Sequence, residues 1–323
     1  MSIVRFAAAG FVALVMSAAT PVQAYKLAVS QYGRVTATLP WAVATEKGYF
    51  KEAGINVDQI IAGMGGGTTL RNMLASDLPY GEVATSAALA AIRSGVDIVI
   101  VNTASSHIGE IALVANPKSS IHKVQDLAGK KAGYTAPKST SELLLRLALK
   151  DAGMAGKVEA VATGGFGGGL TALDTGAIDA APLIDPILTL QPDHYRVIFS
   201  FADIIPRVTW LVGVTTRKFA KENPELLRKM IAVHRRAVDY IYANHDDAIR
   251  IYSKVWNADP KQVAKYFPKY FTYEGEWSRG GFEKAALEKM SEGLQLVGDT
   301  DKPVDWSKVI DQQFLPKDQQ KPL

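Results

Sequence analysis

Two glycine runs carry the strongest chemical signal in the chain. Gly63 and Gly65-Gly66-Gly67-Thr68 follow a β-branched stretch, Ile55 to Ile61, and precede a helix start at Thr68-Thr69-Leu70. Gly164 to Gly169, broken only by Phe166, stands in the same place after Val158 to Ala162. A turn of this kind bares backbone N–H groups at the positive end of a helix, which suits an anion. It also serves wherever a turn needs positive φ. Pro137-Lys138-Ser139-Thr140 opens another helix, and Ser139 is placed to meet a ligand or to cap that helix itself. Thr85-Ser86 adds a hydroxyl pair at a helix start. All four segments follow strands, and open α/β sheets bind ligands outside the strands' carboxyl ends.

Charged and aromatic candidates are fewer. Arg34 follows the first strand and could pair with an acidic ligand, or it is a solvated loop arginine. Tyr32, Trp41, Tyr134 and Phe166 lie in or beside the same loops, as pocket floor or as core. Asp185, in Leu183-Ile184-Asp185-Pro186, could meet an amine or cap the helix behind it.

Catalytic signatures are missing. The five His (His107, His122, His194, His234 and His245) show no metal-ligand spacing. His234 falls on the apolar face of its helix and reads as a packed core residue. No Gly-x-Ser-x-Gly elbow, Walker phosphate loop or Gly-x-Gly-x-x-Gly fingerprint is present. With zero Cys, disulfides, thiolate–metal sites, thiol nucleophiles and a Cys-linked lipid anchor are excluded. No cofactor or metal is expected.

The elements that position these residues alternate. The 323 residues are 48% hydrophobic and 21% charged, an ordinary globular composition that excludes disorder, collagen and coiled coil. A formal charge of +4 is too small and too scattered for nucleic acid or a membrane surface. Residues 1–24 read as an export signal: Arg5, an apolar stretch from Phe6 to Ala19, then Val22-Gln23-Ala24 as a small-x-small cleavage site. That stretch is shorter than the roughly 20 residues a spanning helix needs. The expectation is a mature chain from Tyr25, free in a periplasm.

Strands are expected at Lys26–Ser30, Ile55–Ile61, Val83–Thr85, Ile98–Val101, Ile111–Ala115, Lys131–Tyr134, Val158–Ala162, Arg196–Phe201 and Val208–Val214, with helices between them. Ser139 with Glu142 has capping-box spacing. Glu142 with Arg146 is an i,i+4 pair. After Thr215 the chain turns helical, from Pro224 to Tyr242 and then near Asp246–Val255, Pro260–Phe267 and Phe282–Leu296. The polar tail Pro316 to Leu323 is expected to fray. Strands alternating with helices imply mostly parallel sheets, and the pattern repeats from about Ile111, giving two α/β lobes.

Further motifs point to a family. Ala44-Thr45-Glu46-Lys47-Gly48-Tyr49-Phe50, followed by Ala53-Gly54-Ile55-Asn56-Val57, resembles a signature of the nitrate/sulfonate/taurine class of ABC-transporter substrate-binding proteins. Asp126 to Lys131, Leu173 to Ala180, and Asn223-Pro224-Glu225 opening a long helix are similar in order and spacing. The resemblance covers about Lys26 to Val255. It implies a type II periplasmic-binding-protein fold, with mixed, mostly parallel sheets flanked by helices and two crossing strands. One lobe would be residues 25–114 plus 211–323, the other residues 115–210.

The resemblance also implies a small organic anion held between the lobes without chemistry, and delivery by a monomer to a membrane permease with a cytoplasmic ATPase. By position its cleft loops fall on Gln31, Tyr32 and Arg34; Gly66, Gly67 and Thr68; Thr85 and Ser86; Tyr134, Ser139 and Thr140; Gly167; and Asp185. The first lobe departs from the family at Ser76 to Val83, beside the cleft, so no single anion follows. Alternatives on a similar fold are thiamine-pyrimidine synthases, which use a cysteine-rich motif absent here, menaquinone-pathway enzymes, and a ligand-presenting sensor subunit.

Overall fold

The computed structural model describes residues 23–185, 187–190 and 193–323. The expected leader lies, as far as Val22, outside the described residues. Ten strands follow: β1 (Ala24–Ser30), β2 (Asn56–Gly63), β3 (Tyr80–Ala84), β4 (Ile98–Ser105), β5 (Ile111–Ala115), β6 (Lys131–Tyr134), β7 (Glu159–Ala162), β8 (Ala180–Ile184), β9 (Arg196–Ser200) and β10 (Leu211–Thr216). Between them run α1 (Leu39–Glu46), α2 (Tyr49–Glu52), α3 (Gly66–Leu74), α4 (Thr85–Arg93), α5 (Thr140–Asp151), α6 (Phe166–Asp174), α7 (Ile187–Leu190) and α8 (Phe201–Ile204). After β10 come α9 (Arg217–Glu222), α10 (Pro224–Ala243), α11 (His245–Trp256), α12 (Pro260–Tyr266), α13 (Pro268–Thr272), α14 (Lys284–Leu296) and α15 (Trp306–Val309).

The strands form two five-stranded sheets, β2-β1-β3-β10-β4 and β7-β6-β8-β5-β9. In the first, β1 runs parallel to β2 and β3, and β10 runs antiparallel to β3 and β4. In the second, β6 runs parallel to β7 and β8, and β5 runs antiparallel to β8 and β9. Each sheet therefore holds one reversed strand, second from an edge, and that strand is the one entered by crossing from the other sheet. β5 pairs from Ile111 onward with β8, so we place the boundary between the lobes before Ile111 rather than at 114.

The two crossings are short and lie side by side. The first is the link from β4 to β5, the second the link from β9 through α8 to β10. Val208 N–H donates to the Ser106 carbonyl at 3.0 Å and Trp210 N–H to that of Ser105 at 3.2 Å. The β4 end of the first sheet and the reversed start of β5 meet at this crossing. The carboxyl edges of β1, β2 and β3 therefore face those of β6, β7 and β8 across one cleft.

The first-lobe core is built on Trp41, Phe50 and Tyr80 of α1, α2 and β3. The expected apolar face of α10, Leu227, Met230, Ile231, Val238 and Ile241, is wholly buried against it. α14 reaches the other lobe: a Cβ on Gly293 would stand 2.4 Å from Leu143 Cγ of α5. Lys150–Glu292 at 2.6 Å and Lys289–Asp151 at 3.1 Å flank that contact.

Three boundaries differ from expectation. Thr85 opens α4 instead of ending β3, because its N–H is taken by the Trp210 carbonyl at 2.9 Å. Residues 205–210 form the second crossing, so the strand expected from Val208 starts at Leu211. The tail is held: Arg235 donates to Asp318 at 2.9 and 3.1 Å, and Gln312 and Lys321 bond each other through side chain and backbone.

Candidate functional site

On the first lobe, three loops meet at one rim. Gln31 adopts positive φ of 58°; its N–H donates to the Gly63 carbonyl at 2.8 Å and its Nε2 to the Met64 carbonyl at 2.9 Å. That joins the β1 and β2 loops. Ser30 Oγ and Thr69 Oγ1 bond at 2.8 Å. A Cβ on Gly66 would meet Ala87 Cβ at 2.2 Å, so the starts of α3 and α4 pack directly together. Gly66, Gly67, Thr68, Thr85 and Ser86 thus share one wall. Gly65 is extended at φ −179°. None of Gly63, Gly65, Gly66 and Gly67 has positive φ; space requires only Gly63 and Gly66 to lack a side chain. Arg34 is exposed, its side chain unpaired among the described residues.

The second lobe repeats the device differently. Gly164 and Gly165 hold φ of +79° and +144°, so here the turn does need glycine. Thr163 N–H and Oγ1 donate to the Tyr134 carbonyl at 2.8 and 3.0 Å, drawing the Tyr134 loop against the start of α6 and exposed Gly167. Ser139 is the cap of α5, accepting from Glu142 N–H at 3.3 Å, while Thr140 is the helix's first residue. Glu142 departs from a capping box: its carboxylate accepts from Lys138 N–H at 2.7 Å and pairs with Arg146 at 2.6 Å.

Asp185 is completely buried. It meets an amine of the protein's own: Lys269 Nζ donates to its Oδ2 at 2.9 Å, and the Tyr270 hydroxyl donates to the same oxygen. Both partners lie on α13, so this pair links the C-terminal helices to the second sheet. Trp41 lies outside the site, in the first-lobe core, where its Nε1 donates to Glu82 at 2.7 Å. His234 is core as expected, 3.7 Å from Glu82 with its ring over Trp41.

The base of the cleft holds residues that pattern reasoning missed. Glu110, on the first crossing, accepts the Thr36 N–H, and its carbonyl accepts from Asp185 N–H at 2.9 Å. Glu276, in the loop after α13, is completely buried, with His107 Nδ1 at 3.5 Å from its Oε2. Burial first, then repulsion by Glu276 and more weakly by Asp185, pushes Glu110 well up from its ordinary value, against the lowering pull of its hydrogen bonds to Thr36. Glu276 is also raised, by burial first, against the lowering pull of Lys269. His107 is pushed down to about 4 by burial and then by Arg207.

Tyr252 faces Thr36, Tyr266 and Glu110; Tyr266 faces Asp185. Tyr252 stacks on Trp256 at 4.4 Å, and Trp256 lies 6.3 Å from Tyr32. No sequence signal marks this cluster. Glu110 stands 142 to 166 residues before Tyr252, Tyr266 and Glu276 in the chain. Among the described residues no group of three or more His, Cys, Asp or Glu is arranged to hold a metal ion, and no helix is long and apolar enough to cross a membrane.

The family model described as "NMT1/THI5 like" matches residues 36–248. That span is more than half of the chain and covers both crossings. The chain belongs to the NMT1/THI5-like family. A relative in Brucella abortus (strain 2308), which carries the provisional name of a binding protein, is 28% identical over 68% of this chain and 67% of its own length. A provisionally named aliphatic sulfonates-binding protein of Bacillus subtilis (strain 168) is 22% identical over 86% of this chain and 84% of its own.

Among solved structures, the periplasmic aliphatic sulphonate binding protein SsuA of Escherichia coli superposes with a TM-score of 0.73 at 17% identity. It covers 91% of this chain and 93% of its own. The NMT1/THI5-like member thus has the two-lobed periplasmic-binding fold expected of it. The desulfurization enzyme DSZB shares that fold at a TM-score of 0.64 and 15% identity, over 90% of this chain and 97% of its own. The fold serves both capture and catalysis.

Proposed function

We propose that this protein is the periplasmic substrate-binding component of an ABC importer. It captures a small organic acid between its lobes and presents it to a membrane permease driven by a cytoplasmic ATPase. The observation that carries the reading is the pair of facing strand edges. Each edge ends in a glycine-opened helix, α3 on one lobe and α6 on the other, whose free N–H groups point to the same cleft. Arg34 stands unpaired beside the first and is the counter-ion. Tyr32 and Tyr134 flank the apolar body of the ligand. Gln31, Thr68, Thr85, Ser86, Thr140 and Gly167 line the polar walls. Closure about the paired crossings excludes water. The names of the relatives support the same reading.

Calorimetry on Arg34→Ala tests it. Affinity for a short-chain sulfonate or carboxylate is expected to fall at least tenfold, with the thermal midpoint unchanged. Unchanged affinity would remove Arg34 from the site.

A further inference from the structure

The end of α14 stands where the two lobes meet. The segment after it is fastened to the first lobe: Asp311 N–H donates to the Ile100 carbonyl of β4 at 2.9 Å, and Arg217 of α9 donates to the Lys308 carbonyl at 2.9 Å. The helix itself lies along α5 of the second lobe, with Gly293 against Leu143. Its last turn holds one carboxylate in place. Gly298, at φ of 66°, and Asp299 donate their N–H groups to the Gln295 and Leu294 carbonyls at 3.0 and 2.9 Å, the paired bonds of a glycine-ended helix. The Asp299 backbone is thereby fixed, and its side chain is 9% exposed.

The two oxygens of Asp299 meet cations from different lobes. Arg93, the last residue of α4, donates to Oδ2, and Lys138 Nζ lies 3.5 Å from Oδ1. Each cation leads to a wall of the cleft. α4 begins at Thr85 and Ser86, and Lys138 directly precedes Ser139 and Thr140. Lys138 also keeps a left-handed backbone, with φ of 61°, which a residue other than glycine holds only where its surroundings impose it. Here the Glu142 carboxylate accepts its N–H at 2.7 Å, and Asp299 faces its ammonium.

We propose that Asp299 is a positioning residue that bridges the lobes and sets their resting separation, holding the loop of Lys138, Ser139 and Thr140 toward α4. A solitary exposed ion pair contributes little. A mostly buried carboxylate shared by two cations acts differently. Without its charge, Arg93 and Lys138 face each other as like charges from opposite lobes, and their repulsion opens the cleft. The neighbouring pairs Lys150–Glu292 and Lys289–Asp151 join α14 to α5 and do not reach α4.

The bridge is a property of the chain without ligand, so its test does not depend on the organic-acid reading. Spin labels are placed on exposed positions of the two outer strands, through Asp58→Cys on β2 and Glu159→Cys on β7, in a chain that has no other cysteine. Double electron–electron resonance then reads the distance between the lobes. The doubly labelled parent is expected to give one narrow distribution. Asp299→Asn, nearly the same in shape, should lengthen the mean distance by several ångströms, and Asp299→Glu should keep the parent's distance. Lys138→Gln added to Asp299→Asn removes the repulsion and should return much of the shift. An unchanged distance in Asp299→Asn would overturn the proposal, even with a lowered thermal midpoint, because Asp299 would then only support the end of α14. A shift that Asp299→Glu shares in full, or that Lys138→Gln leaves untouched, would overturn it equally, since packing and not charge would be the cause.

Discussion

Glu82 lies on β3 inside the first-lobe core, 1% exposed, accepting from Trp41 at 2.7 Å and standing 3.7 Å from His234 Nε2. The distance resembles an ion pair, but burial acts on both groups in the neutral direction. It raises the Glu82 carboxyl to about 8 and lowers the His234 imidazole to about 4, so the two sit together uncharged. Stability then depends on pH with a definite sign. The folded chain keeps protons on Glu82, Glu110 and Glu276 that the unfolded chain releases above the ordinary value of 4.5; this destabilises the fold as pH climbs through about 8. His107 and His234 act oppositely between about 4 and 6.5, where the unfolded chain binds the protons and stability rises with pH. Above 6.5 only the carboxyls remain. Denaturant unfolding is expected to show stability falling from pH 6.5 to pH 8.5, with at most about 1.4 kcal/mol per pH unit from each carboxyl. Glu82→Gln should make that fall shallower. A profile that is flat, or that rises, over this range would contradict the neutral-core assignment.

At the scale of elements, the two glycine runs perform one task by different means. Gly66 keeps α3 against α4, where a Cβ would stand 2.2 Å from Ala87 Cβ, and Gly168 passes 2.1 Å, measured from such a Cβ, from the Thr163 carbonyl oxygen. Gly67 has only Arg71 Nη1 at 3.7 Å, and Gly167 has nothing within 4 Å. Gly66→Ala and Gly168→Ala are therefore expected to cost about 1–3 kcal/mol by overpacking. Gly67→Ala and Gly167→Ala should be close to neutral in chemical denaturation. Equal effects within each pair would show that the runs are flexible turns after all. This distinction was not legible in the sequence, which shows a glycine but not the neighbour that excludes a side chain. The elements themselves were legible, because β-branched stretches, Ser139 as a cap and the apolar face of α10 are local signals. Thr85 and the start of β10 were misplaced by contacts with distant residues, Trp210 and the crossing.

For the whole molecule, the sheet topology decides what the cleft can do. One reversed strand per sheet turns both carboxyl edges toward the crossings, so residues from 31 to 185 share a single gap. The segments proposed as its walls were legible as loops that follow strands. The base was not, since Glu110, Glu276, Tyr252 and Tyr266 belong to a crossing and to C-terminal helices that carry no binding pattern. Asp185, read as a helix cap or an amine site, is the second lobe's tie to α13 through Lys269 and Tyr270. Asp185→Asn removes the charge from that tie. The closed arrangement should become less populated, seen as a larger radius of gyration in small-angle X-ray scattering and a weaker affinity for any ligand the wild type holds. An unchanged radius and affinity would mean that the pair only packs.

Native mass spectrometry on the full chain, incubated with short-chain sulfonates and carboxylates, tests capture between the lobes most directly. The account predicts one adduct per chain, lost on mild denaturation and diminished in Arg34→Ala. Adducts from none of the acids, or adducts that survive Arg34→Ala undiminished, would contradict it.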